Sequence, residues 1–203
     1  MVIDGILYGL GSFAGGVLAA WLTGVPLIAT PFFVFGAFCM YFFRDPDRTV
    51  PPGADAVSPA DGKVMAVKPE DDGLTRISIF LNVFDVHVNR SPVEGRIVDV
   101  KYRKGAFLVA SKEVASVENE QNVVTVETSD GIQIVYKQIA GLIARRIVFD
   151  KQAGEHVAIG ERIGLMKFGS RMDVLLGPEW KILVEPGQRV VAGETLLAER
   201  KHT

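Results

Sequence analysis

Three short segments of the sequence combine residue types that could carry out nucleophilic and acid–base chemistry. One places Asp61 in a Pro-Ala-Asp-Gly turn, the second places His87 among alternating apolar residues, and the third carries Ser170 in Phe-Gly-Ser-Arg. A serine hydroxyl becomes a useful nucleophile when a base accepts its proton, and a histidine oriented by a carboxylate is a common base. The three segments are Val57–Lys63, Phe84–Pro92 and Lys167–Val174.

The histidine segment has the alternation of a β-strand, which predicts that Asp85, His87 and Asn89 project to one face. A lone histidine in a strand is usually structural, but this one has the polar neighbours expected of an acid or a base. The opposite face would carry Val86, Val88 and Arg90. We therefore predict that His87 takes part in proton transfer.

Ser170 lies in a different context from the serine of a hydrolase. Hydrolase serines sit on a sharp strand-to-helix turn in a G-x-S-x-G pattern, whereas Ser170 lies in a strand-like stretch with no helical pattern after it. The turn around Asp61 is ordinary by itself, because Pro, Asp and Gly are turn formers. Neither segment alone therefore defines a reaction.

The elements that must position these residues are mainly short β-strands. Alternation predicts strands at 76–81, 123–127 and 132–136, the last two joined by the turn at 129–131. Gly and Pro recur at turn spacing, and long 3.6-residue periodicity is missing after residue 43, so helices there should be few and short. The sequence predicts a mainly β domain, a compact β-barrel or sandwich.

The pattern G-x-x-V-x-x-G-E occurs twice, at 154–161 and at 187–194, 33 residues apart. Such a unit places glycine where a strand must turn tightly and valine toward the core. The pattern resembles the half-motif of lipoyl- and biotinyl-type domains, and it predicts lipoyl-like, barrel-sandwich hybrid repeats. The alternative is that two similar β-turns arose by chance.

The N-terminus predicts a helical membrane anchor in residues 1–43. From residue 5 to residue 43, 39 consecutive positions carry no Asp, Glu, Lys or Arg, about twice the ~20 residues needed to cross the hydrocarbon core. Two 19-residue halves predict a helical hairpin, and glycines in the first half are spaced for close helix approach. Pro26 and Pro31 favour the alternative of a re-entrant or in-plane anchor.

The remaining residues, 44–203, are enough for one domain with its own core. They carry 22 bases and 23 acids, a balance that argues against a general nucleic-acid binder. One cysteine excludes an internal disulfide, and three histidines in the whole chain argue against a dedicated metal site. If the anchor is a hairpin, Arg44 and Arg48 indicate that this domain lies on the cytoplasmic side.

Taken together, the segments make the chain resemble the phosphatidylserine decarboxylase family in its short form. The resemblance covers essentially the whole chain and rests on the order and spacing of motifs that are each weak alone. The motifs are Phe42–Pro46, V-S-P-A-D-G at 57–62, D-V-H-V-N-R-S-P at 85–92, N-E-Q-N at 119–122, I-A-G-L-I-A-R-R-I at 139–147 and F-G-S-R at 168–171.

The resemblance implies a proenzyme that makes a pyruvoyl group from its own backbone. Ser170 would attack the Gly169 carbonyl, and cleavage would leave a β chain, 1–169, and an α chain, 170–203, that begins with the pyruvoyl group. Phosphatidylserine in the membrane would form a Schiff base with that group and lose CO2 to give phosphatidylethanolamine. No metal and no pyridoxal phosphate are implied. The two chains would remain a heterodimer, with further oligomerisation left open.

The resemblance also implies roles for the other segments. Asp61 would orient His87, which would accept the serine proton during self-cleavage and act again in decarboxylation. Arg90 and Asn89 would bind the lipid substrate. The larger form of the family has a second histidine where this chain has Arg90, which cannot act as a base at ordinary pH. Either His87 performs both tasks, or Asp61 acts with another group.

Two other functions fit part of the sequence. A pyruvoyl decarboxylase of a soluble amino acid would share the chemistry, but it would not need the 39-residue uncharged segment. A non-enzymatic, membrane-tethered barrel-sandwich adaptor would use the repeated pattern for assembly, although the long coiled-coil hairpins typical of such adaptors are missing from the sequence.

Overall fold

The structure, a computed structural model, describes residues 2–142, 146–167 and 169–201. The chain divides into two compact units, Met1–Asp47 and Arg48–Thr203, a division that falls a few residues after the predicted boundary. The first unit is helical and the second is mainly β. Residues 143–145 and Phe168 of the predicted motifs lie outside the described residues.

The first unit is a pair of apolar helices. Helix α1 spans Ile3–Thr23 and ends at Gly24, whose left-handed φ of 69° stops the helix. A short 3₁₀ helix, Pro26–Ile28, leads into helix α2, Ala29–Phe42, which packs against α1. Two packed helices therefore occupy the two uncharged halves, and their role as a membrane hairpin stays a prediction.

Glycines let the two helices approach closely. Gly9 and Gly36 face each other, since a β-carbon on Gly36 would lie 3.0 Å from the carbonyl oxygen of Gly9. Gly5, Gly9 and Gly16 are the buried residues of α1, whereas a β-carbon on Gly11 would have nothing within 4 Å. The predicted close approach thus involves three of the glycines of α1 and one of α2.

Within the described residues, α1 is the helix that is long and apolar enough to cross a membrane, judged by length and composition. Its 21 residues extend about 31 Å, whereas the 14 residues of α2 extend about 21 Å, less than the ~30 Å hydrocarbon core. The hairpin is suited to association with a membrane, and its unequal helices leave the re-entrant alternative open.

The second unit is built from short antiparallel strands and one short helix, α3, at Ala115–Glu118. The strands are β1 (Ala56–Val57), β2 (Gly62–Pro69), β3 (Thr75–Leu81), β4 (Val88–Arg90), β5 (Gly95–Arg103), β6 (Gln121–Glu127), β7 (Gln133–Ile139), β8 (Ile147–Phe149), β9 (His156–Val157), β10 (Arg162–Met166), β11 (Ser170–Leu176), β12 (Trp180–Ile182), β13 (Arg189–Val190) and β14 (Leu196–Arg200). The mainly β fold predicted from the sequence is confirmed.

An eight-stranded sheet curls into a half-barrel with the strand order β13-β2-β3-β11-β7-β6-β5-β9. Two three-stranded sheets, β1-β14-β12 and β4-β10-β8, complete the unit. The predicted strand at 76–81 lies in β3, and the two at 123–127 and 132–136 correspond to β6 and β7. These two strands pair in antiparallel register around Gly131, whose φ of 82° suits the predicted turn.

The predicted strand around His87 is only partly correct. Strand β4 begins at Val88, and Asp85 lies in the preceding turn instead of on a shared strand face with His87 and Asn89. Two short side-chain contacts favour the turn: Asp85 Oδ2 accepts from Asn82 N–H at 2.9 Å, and Asn82 Oδ1 accepts from Phe84 N–H at 2.8 Å. Asp and Asn side chains commonly compete in this way with strand hydrogen bonds.

The two G-x-x-V-x-x-G-E segments adopt the same backbone conformation. Gly154 and Gly187 have φ of 97° and 98°, and Gly160 and Gly193 both have φ of 75°. Each segment contributes a two-residue strand, β9 or β13, that pairs with the first residues of β5 or β2. The repeat is therefore a repeat of structure and not only of sequence. Its likeness to lipoyl-type domains stays a prediction.

A second repeat precedes β2 and β5. The segments S-P-A-D-G at 58–62 and S-P-V-E-G at 91–95 are also 33 residues apart. In both, the serine hydroxyl donates to the carbonyl two residues on, at 2.7 Å. The second unit thus contains two similar halves, and Asp61 occupies in one half the place that Glu94 occupies in the other.

Strand β11 is buried along its whole length and lies between β3 and β7 in the middle of the large sheet. Its first residue, Ser170, pairs with Leu81. Alternation places Met172 in the hydrophobic core and Asp173 on the other face of the sheet. The bond between Gly169 and Ser170 therefore lies at the first residue of a central strand.

Candidate active site

Ser170 is fully buried, and its hydroxyl is the first polar group of the central strand. In the part of the chain that the structure describes, Ser170 Oγ has no hydrogen-bond partner. A buried hydroxyl without a partner carries a desolvation penalty of about 1–3 kcal/mol, so its retention calls for a functional reason. A nucleophile that attacks a neighbouring carbonyl is such a reason.

Gly169 has a left-handed φ of 68°, so the chain bends sharply just before β11. A β-carbon at this position would meet nothing within 4 Å, so space does not exclude a side chain here. The backbone conformation alone therefore favours glycine. Glycine therefore suits the bend at the predicted cleavage position.

His87 contacts the residue before the serine. Its Nε2 accepts a hydrogen bond from the Gly169 N–H at 3.2 Å, and its Nδ1 lies 3.0 Å from the carbonyl oxygen of Asp85. An amide N–H can only donate and a carbonyl can only accept, so the two contacts together require an imidazole with its proton on Nδ1. His87 is thus held as a neutral imidazole whose Nε2 lone pair accepts from the Gly169 amide, one residue before Ser170.

Asp61 makes its contacts elsewhere. Its Oδ1 accepts from the Ala192 N–H at 2.8 Å, and its Oδ2 lies 2.9 Å from Arg48 Nη2. Ala192 belongs to the second G-x-x-V-x-x-G-E segment, so this carboxylate joins the two repeats in its half of the unit. These contacts explain a structural role for Asp61. Its predicted role beside His87 stays a prediction.

Asn89 belongs to a buried row of amide side chains. Its Oδ1 accepts from Gln138 Nε2 at 3.0 Å, and Gln138 Oε1 in turn accepts from Asn122 Nδ2 at 3.2 Å. Asn89 Nδ2 has no partner among the described residues, although the side chain is fully buried. An unpartnered buried donor is a candidate contact for a substrate acceptor.

Arg90 is also buried, and its Nη1 donates to the carbonyl of Gly160 at 2.9 Å. Gly160 lies in the first G-x-x-V-x-x-G-E segment, so this guanidinium holds a turn of the repeat in place. In the three-stranded sheet, Arg90 of β4 is the register partner of Arg162 of β10. The predicted contact of Arg90 with the lipid substrate stays a prediction.

Gly141 lies against the carbonyl that the serine would attack. A β-carbon on Gly141 would overlap the carbonyl oxygen of Gly169, and it would also come within 3.2 Å of the Ala110 side chain. The two glycines face each other because β7 and β11 are antiparallel neighbours, with Ile139 paired to Arg171. Gly141 stands within a motif of the sequence, but its importance depends on this contact across strands and could not be read from the motif.

Residues 106–118, here called the cover loop, are fixed beside Gly141. Asn119 Oδ1 accepts from Leu108 N–H at 3.0 Å, and Asn119 Nδ2 donates to the carbonyls of Leu108 and Ala140 at 2.9 and 2.7 Å. Arg171 Nη1 donates to a carbonyl of the loop at 3.3 Å. The cover loop is therefore attached to β7 and to β11, the two strands that meet at the candidate site.

A buried charge network lies on the other face of β11. Asp173 Oδ1 accepts from Arg171 Nε at 2.6 Å, and Asp173 Oδ2 accepts from Ser116 Oγ of the cover loop, also at 2.6 Å. Arg171 Nη2 donates to Ser78 Oγ at 2.7 Å, and Ser78 Oγ also accepts from Arg76 Nη1 at 3.1 Å. This network was not predicted from the sequence. The feature that could have indicated it is the alternation of charged and apolar residues along β11, which is buried throughout.

Arg76 extends the network to the surface of the cover loop through Glu70 and Glu113. Burial alone would lower the pKa of Arg76, but hydrogen bonds to these two carboxylates raise it above its ordinary value. The hydrogen bond from Arg76 also holds the pKa of the Glu113 carboxyl below its ordinary value. Both groups are thus stabilised in their charged forms.

The residues described here contain no group of three or more His, Cys, Asp or Glu side chains placed to hold a metal ion. A separate polar cleft of about 670 Å³ is lined by Asp55, Trp180 and Arg200, among others. Neither Ser170 nor His87 lines that cleft. The candidate site is therefore a closed, buried position and not this open cleft.

The fold and the site define a class of protein: a β domain in which a buried serine is the first residue of a central strand and a neutral histidine contacts the residue before it. The model of the family "Phosphatidylserine decarboxylase" matches residues 35–198. The chain belongs to the phosphatidylserine decarboxylase family.

Individual relatives agree with this family. The chain is 64% identical over 200 residues to a phosphatidylserine decarboxylase proenzyme of Solibacter usitatus, covering 98% of this chain and 97% of that protein. It is 49% identical over 177 residues to the proenzyme of the same name from Rickettsia akari, covering 82% and 77%. The proenzyme from Rickettsia felis is 49% identical over 183 residues, covering 84% and 79%.

Proposed function

We propose that this chain is a phosphatidylserine decarboxylase proenzyme that cleaves itself at Gly169-Ser170 and uses the resulting pyruvoyl group to decarboxylate phosphatidylserine. Family membership supports the overall reaction. The contact from the Gly169 N–H to His87 Nε2 at 3.2 Å carries the proposal for the site, because it brings a neutral base to the bond that must break.

In the first step, His87 Nε2 accepts the proton of Ser170 Oγ while the oxygen attacks the Gly169 carbonyl carbon. The nitrogen of Ser170 leaves that carbon and is protonated, so the amide becomes an ester. For this step, His87 Nε2 must exchange its hydrogen bond from the Gly169 amide for one from the hydroxyl of the next residue, Ser170. The bend at Gly169 and the close approach of Gly141 hold the carbonyl in place during this step.

In the second step, a base removes the Ser170 Cα proton and the ester bond breaks. The Gly169 carboxylate leaves as the new C-terminus of the β chain, 1–169, and dehydroalanine remains at position 170. Addition of water and loss of ammonia then leave a pyruvoyl group at the start of the α chain, 170–203. The two chains would remain paired because β11 lies between β3 and β7, which both belong to the β chain.

The pyruvoyl group supplies the electron sink that the departure of CO2 requires. The residues around it would bind the substrate and move protons. His87, the base that contacts Gly169, would return a proton to the substrate carbon. Asn89 Nδ2 offers an unused buried donor within the described residues, and Arg90 would add a positive charge for the phosphodiester.

In the proposal, Asp61 orients His87 after its contact with Arg48 has opened. A carboxylate that already accepts from an arginine and a main-chain amide has fewer lone pairs left for an imidazolium. Asp61→Asn tests the role: abolished cleavage in a folded variant supports it, provided that Arg48→Met still cleaves. If both variants lose stability but still cleave, Asp61 is structural.

The helical hairpin supports a location of this protein at the cell membrane. An apolar helix of membrane-spanning length supports attachment to the membrane in which the lipid substrate lies. The arginines after α2 favour a cytoplasmic domain under the positive-inside rule.

The proposal is tested by intact-mass analysis of the purified full-length protein and its Ser170→Ala variant. The wild-type protein should give two chains, the smaller one blocked by a pyruvoyl group, and Ser170→Ala should remain intact. An uncleaved wild-type chain would contradict the proposal and favour the adaptor. CO2 release from phosphatidylserine against free serine separates the lipid enzyme from a decarboxylase of a soluble amino acid.

A further inference from the structure

The candidate site lies at one end of the large sheet. The strand register runs Arg103 to Gln121 on β6, Gln121 to Ile139 on β7, Ile139 to Arg171 on β11, and Arg171 to Phe80 on β3. Everything beyond this row lies at the same end, called here the site end. It contains the turn at 82–87, the first residues of the cover loop, residues 140–142 and the Gly169–Ser170 bond, whereas the second half of the cover loop reaches back along the sheet to Arg76 and Asp173.

Two of the three most exposed large apolar side chains in the described part of the second unit are at the site end. Phe84 and Leu142 are 63% and 56% exposed, whereas the third, Val117 at 69%, lies in α3 beside Lys137 and Leu175. Apart from Val117 and its neighbour Val114, the exposed aliphatic side chains elsewhere in the described part of this unit reach only 36–41%. Those side chains are Met65, Val98, Leu183 and Leu196. Scattered apolar exposure is ordinary, but a concentration of it at a functional end indicates a binding surface.

Three separate segments place exposed apolar side chains near the Gly169–Ser170 bond. Phe84 lies in the turn that follows Leu81, the partner of Ser170 in the sheet. Leu142 follows Gly141, which lies against the Gly169 carbonyl. Val109, 40% exposed, precedes Ala110, whose side chain approaches Gly141. Phe84, Val109 and Leu142 are called here the apolar rim.

Exposed cations accompany the rim. Arg103 and Lys104 come just before the cover loop and Lys112 lies within it, and all three are exposed. Of the nearby acids, Glu113 is bound by Arg76 and Lys68, Glu120 accepts a hydrogen bond from Tyr102, and Glu118 is exposed. The three cations therefore outnumber the one remaining exposed acid of the cover loop. Apolar side chains beside cations match a phospholipid surface, which presents acyl chains below phosphate groups.

We propose that the β domain itself docks on the phospholipid bilayer through the apolar rim, in addition to any attachment by the helical hairpin. The choice of lipid rests on the proposed function: a phosphatidylserine headgroup must reach Ser170 while its acyl chains stay in an apolar phase. A rim around the site lets the chains remain in contact with apolar side chains as the headgroup enters. The docking surface is thus part of how a buried site receives a membrane substrate.

The first test compares two forms of the substrate with the full-length protein. Phe84→Ser/Leu142→Ser should reduce decarboxylation of phosphatidylserine in vesicles at least tenfold, with kcat/KM for a short-chain, monomerically dispersed phosphatidylserine within about twofold of wild type. The matched control, Val98→Ser/Leu196→Ser, should change neither. Equal loss on both substrates, or no loss on vesicles, would overturn the proposal.

A second test does not depend on activity, and so separates docking from the proposed function. The single cysteine is removed as Cys39→Ala, and an environment-sensitive probe is attached at Phe84→Cys or, as control, at Val98→Cys. With vesicles of phosphatidylcholine and phosphatidylglycerol, acyl-chain quenchers should quench the first probe at least threefold more than the second. Equal quenching would overturn the proposal. So would a dimer in solution that Phe84→Ser/Leu142→Ser abolishes, since the rim would then bind a second copy.

Discussion

Gly141 and Gly169 meet across neighbouring strands, so closely that a β-carbon on Gly141 would overlap the carbonyl oxygen of Gly169. That oxygen belongs to the carbonyl that Ser170 is proposed to attack. The contact is between backbone atoms, which cannot move aside as a flexible side chain could. A residue far from Ser170 in sequence therefore controls the position of the reacting group.

The first prediction concerns this contact. Gly141→Ala should fold but cleave about tenfold or more slowly, because overpacking of ~1–3 kcal/mol displaces the Gly169 carbonyl. The fraction of two-chain protein over time on a denaturing gel measures the effect. Gly177→Ala is a suitable control, since its β-carbon would meet only the flexible end of Glu179. Cleavage of Gly141→Ala at the wild-type rate would contradict the prediction.

The second prediction concerns the base. His87→Gln keeps a side-chain oxygen that can accept from the Gly169 N–H, but a carboxamide cannot take the serine proton. The variant should unfold within a few degrees of wild type, while cleavage slows by roughly 10²–10⁴. His156→Gln replaces an exposed histidine and should cleave normally. A His87→Gln protein that matures at the wild-type rate would remove His87 from the proposed mechanism.

The third prediction concerns the buried network behind β11. Asp173→Ala leaves the Arg171 guanidinium buried without its carboxylate, which should cost about 3–5 kcal/mol of unfolding free energy. Arg171→Met/Asp173→Leu removes both charges and should recover most of that loss. Denaturant unfolding measures both variants. Glu199→Ala, which breaks the exposed pair with Lys181, should cost less than ~1 kcal/mol. A double variant as unstable as Asp173→Ala would show that packing matters more than charge.

The fourth prediction is a pH dependence at the cover loop. The hydrogen bond from Arg76 lowers the pKa of Glu113 in the folded protein from its ordinary value of 4.5. A lowered pKa stabilises the fold above that ordinary value, and the stabilisation is lost as the pH falls through the folded pKa. Glu113 is half exposed, so the effect should stay below ~1 kcal/mol.

Glu113→Gln should therefore unfold at a lower temperature than wild type at pH 7, and the difference should vanish at a pH well below 4.5. Glu118→Gln changes an exposed carboxylate on the same loop and serves as the control. A difference between Glu113→Gln and wild type that grows toward low pH would have the wrong sign for this ion pair.

Local patterns along the chain were enough to predict much of the molecule. The uncharged N-terminus predicted the helical hairpin, and alternation predicted β3, β6 and β7. The repeated glycines predicted two matching turns, because a positive φ is a local requirement that glycine meets most easily. The candidate serine and histidine were identified from their types and neighbours, whereas the cleavage glycine was identified from the resemblance to a known family.

Contacts between distant residues could not be predicted in this way. Asp85 was expected on the same strand face as His87, yet its carboxylate closes a turn and its carbonyl is what orients the imidazole. The contacts of the Asp61 carboxylate with Arg48 and Ala192 were not predicted either, and its role at His87 stays a prediction. Short polar side chains have several partners within reach, and the folded backbone decides which of them is available.

The sequence by itself determined that the chain has a long uncharged N-terminus and a mainly β domain, and its motifs predicted the Gly169–Ser170 bond as the cleavage site through their resemblance to a known family. The tertiary structure decided how that bond is held: the neutral tautomer of His87, the close approach of Gly141 and the cover loop fixed by Asn119. Each of these depends on strand register, because β3, β7 and β11 become neighbours only when the sheet has formed.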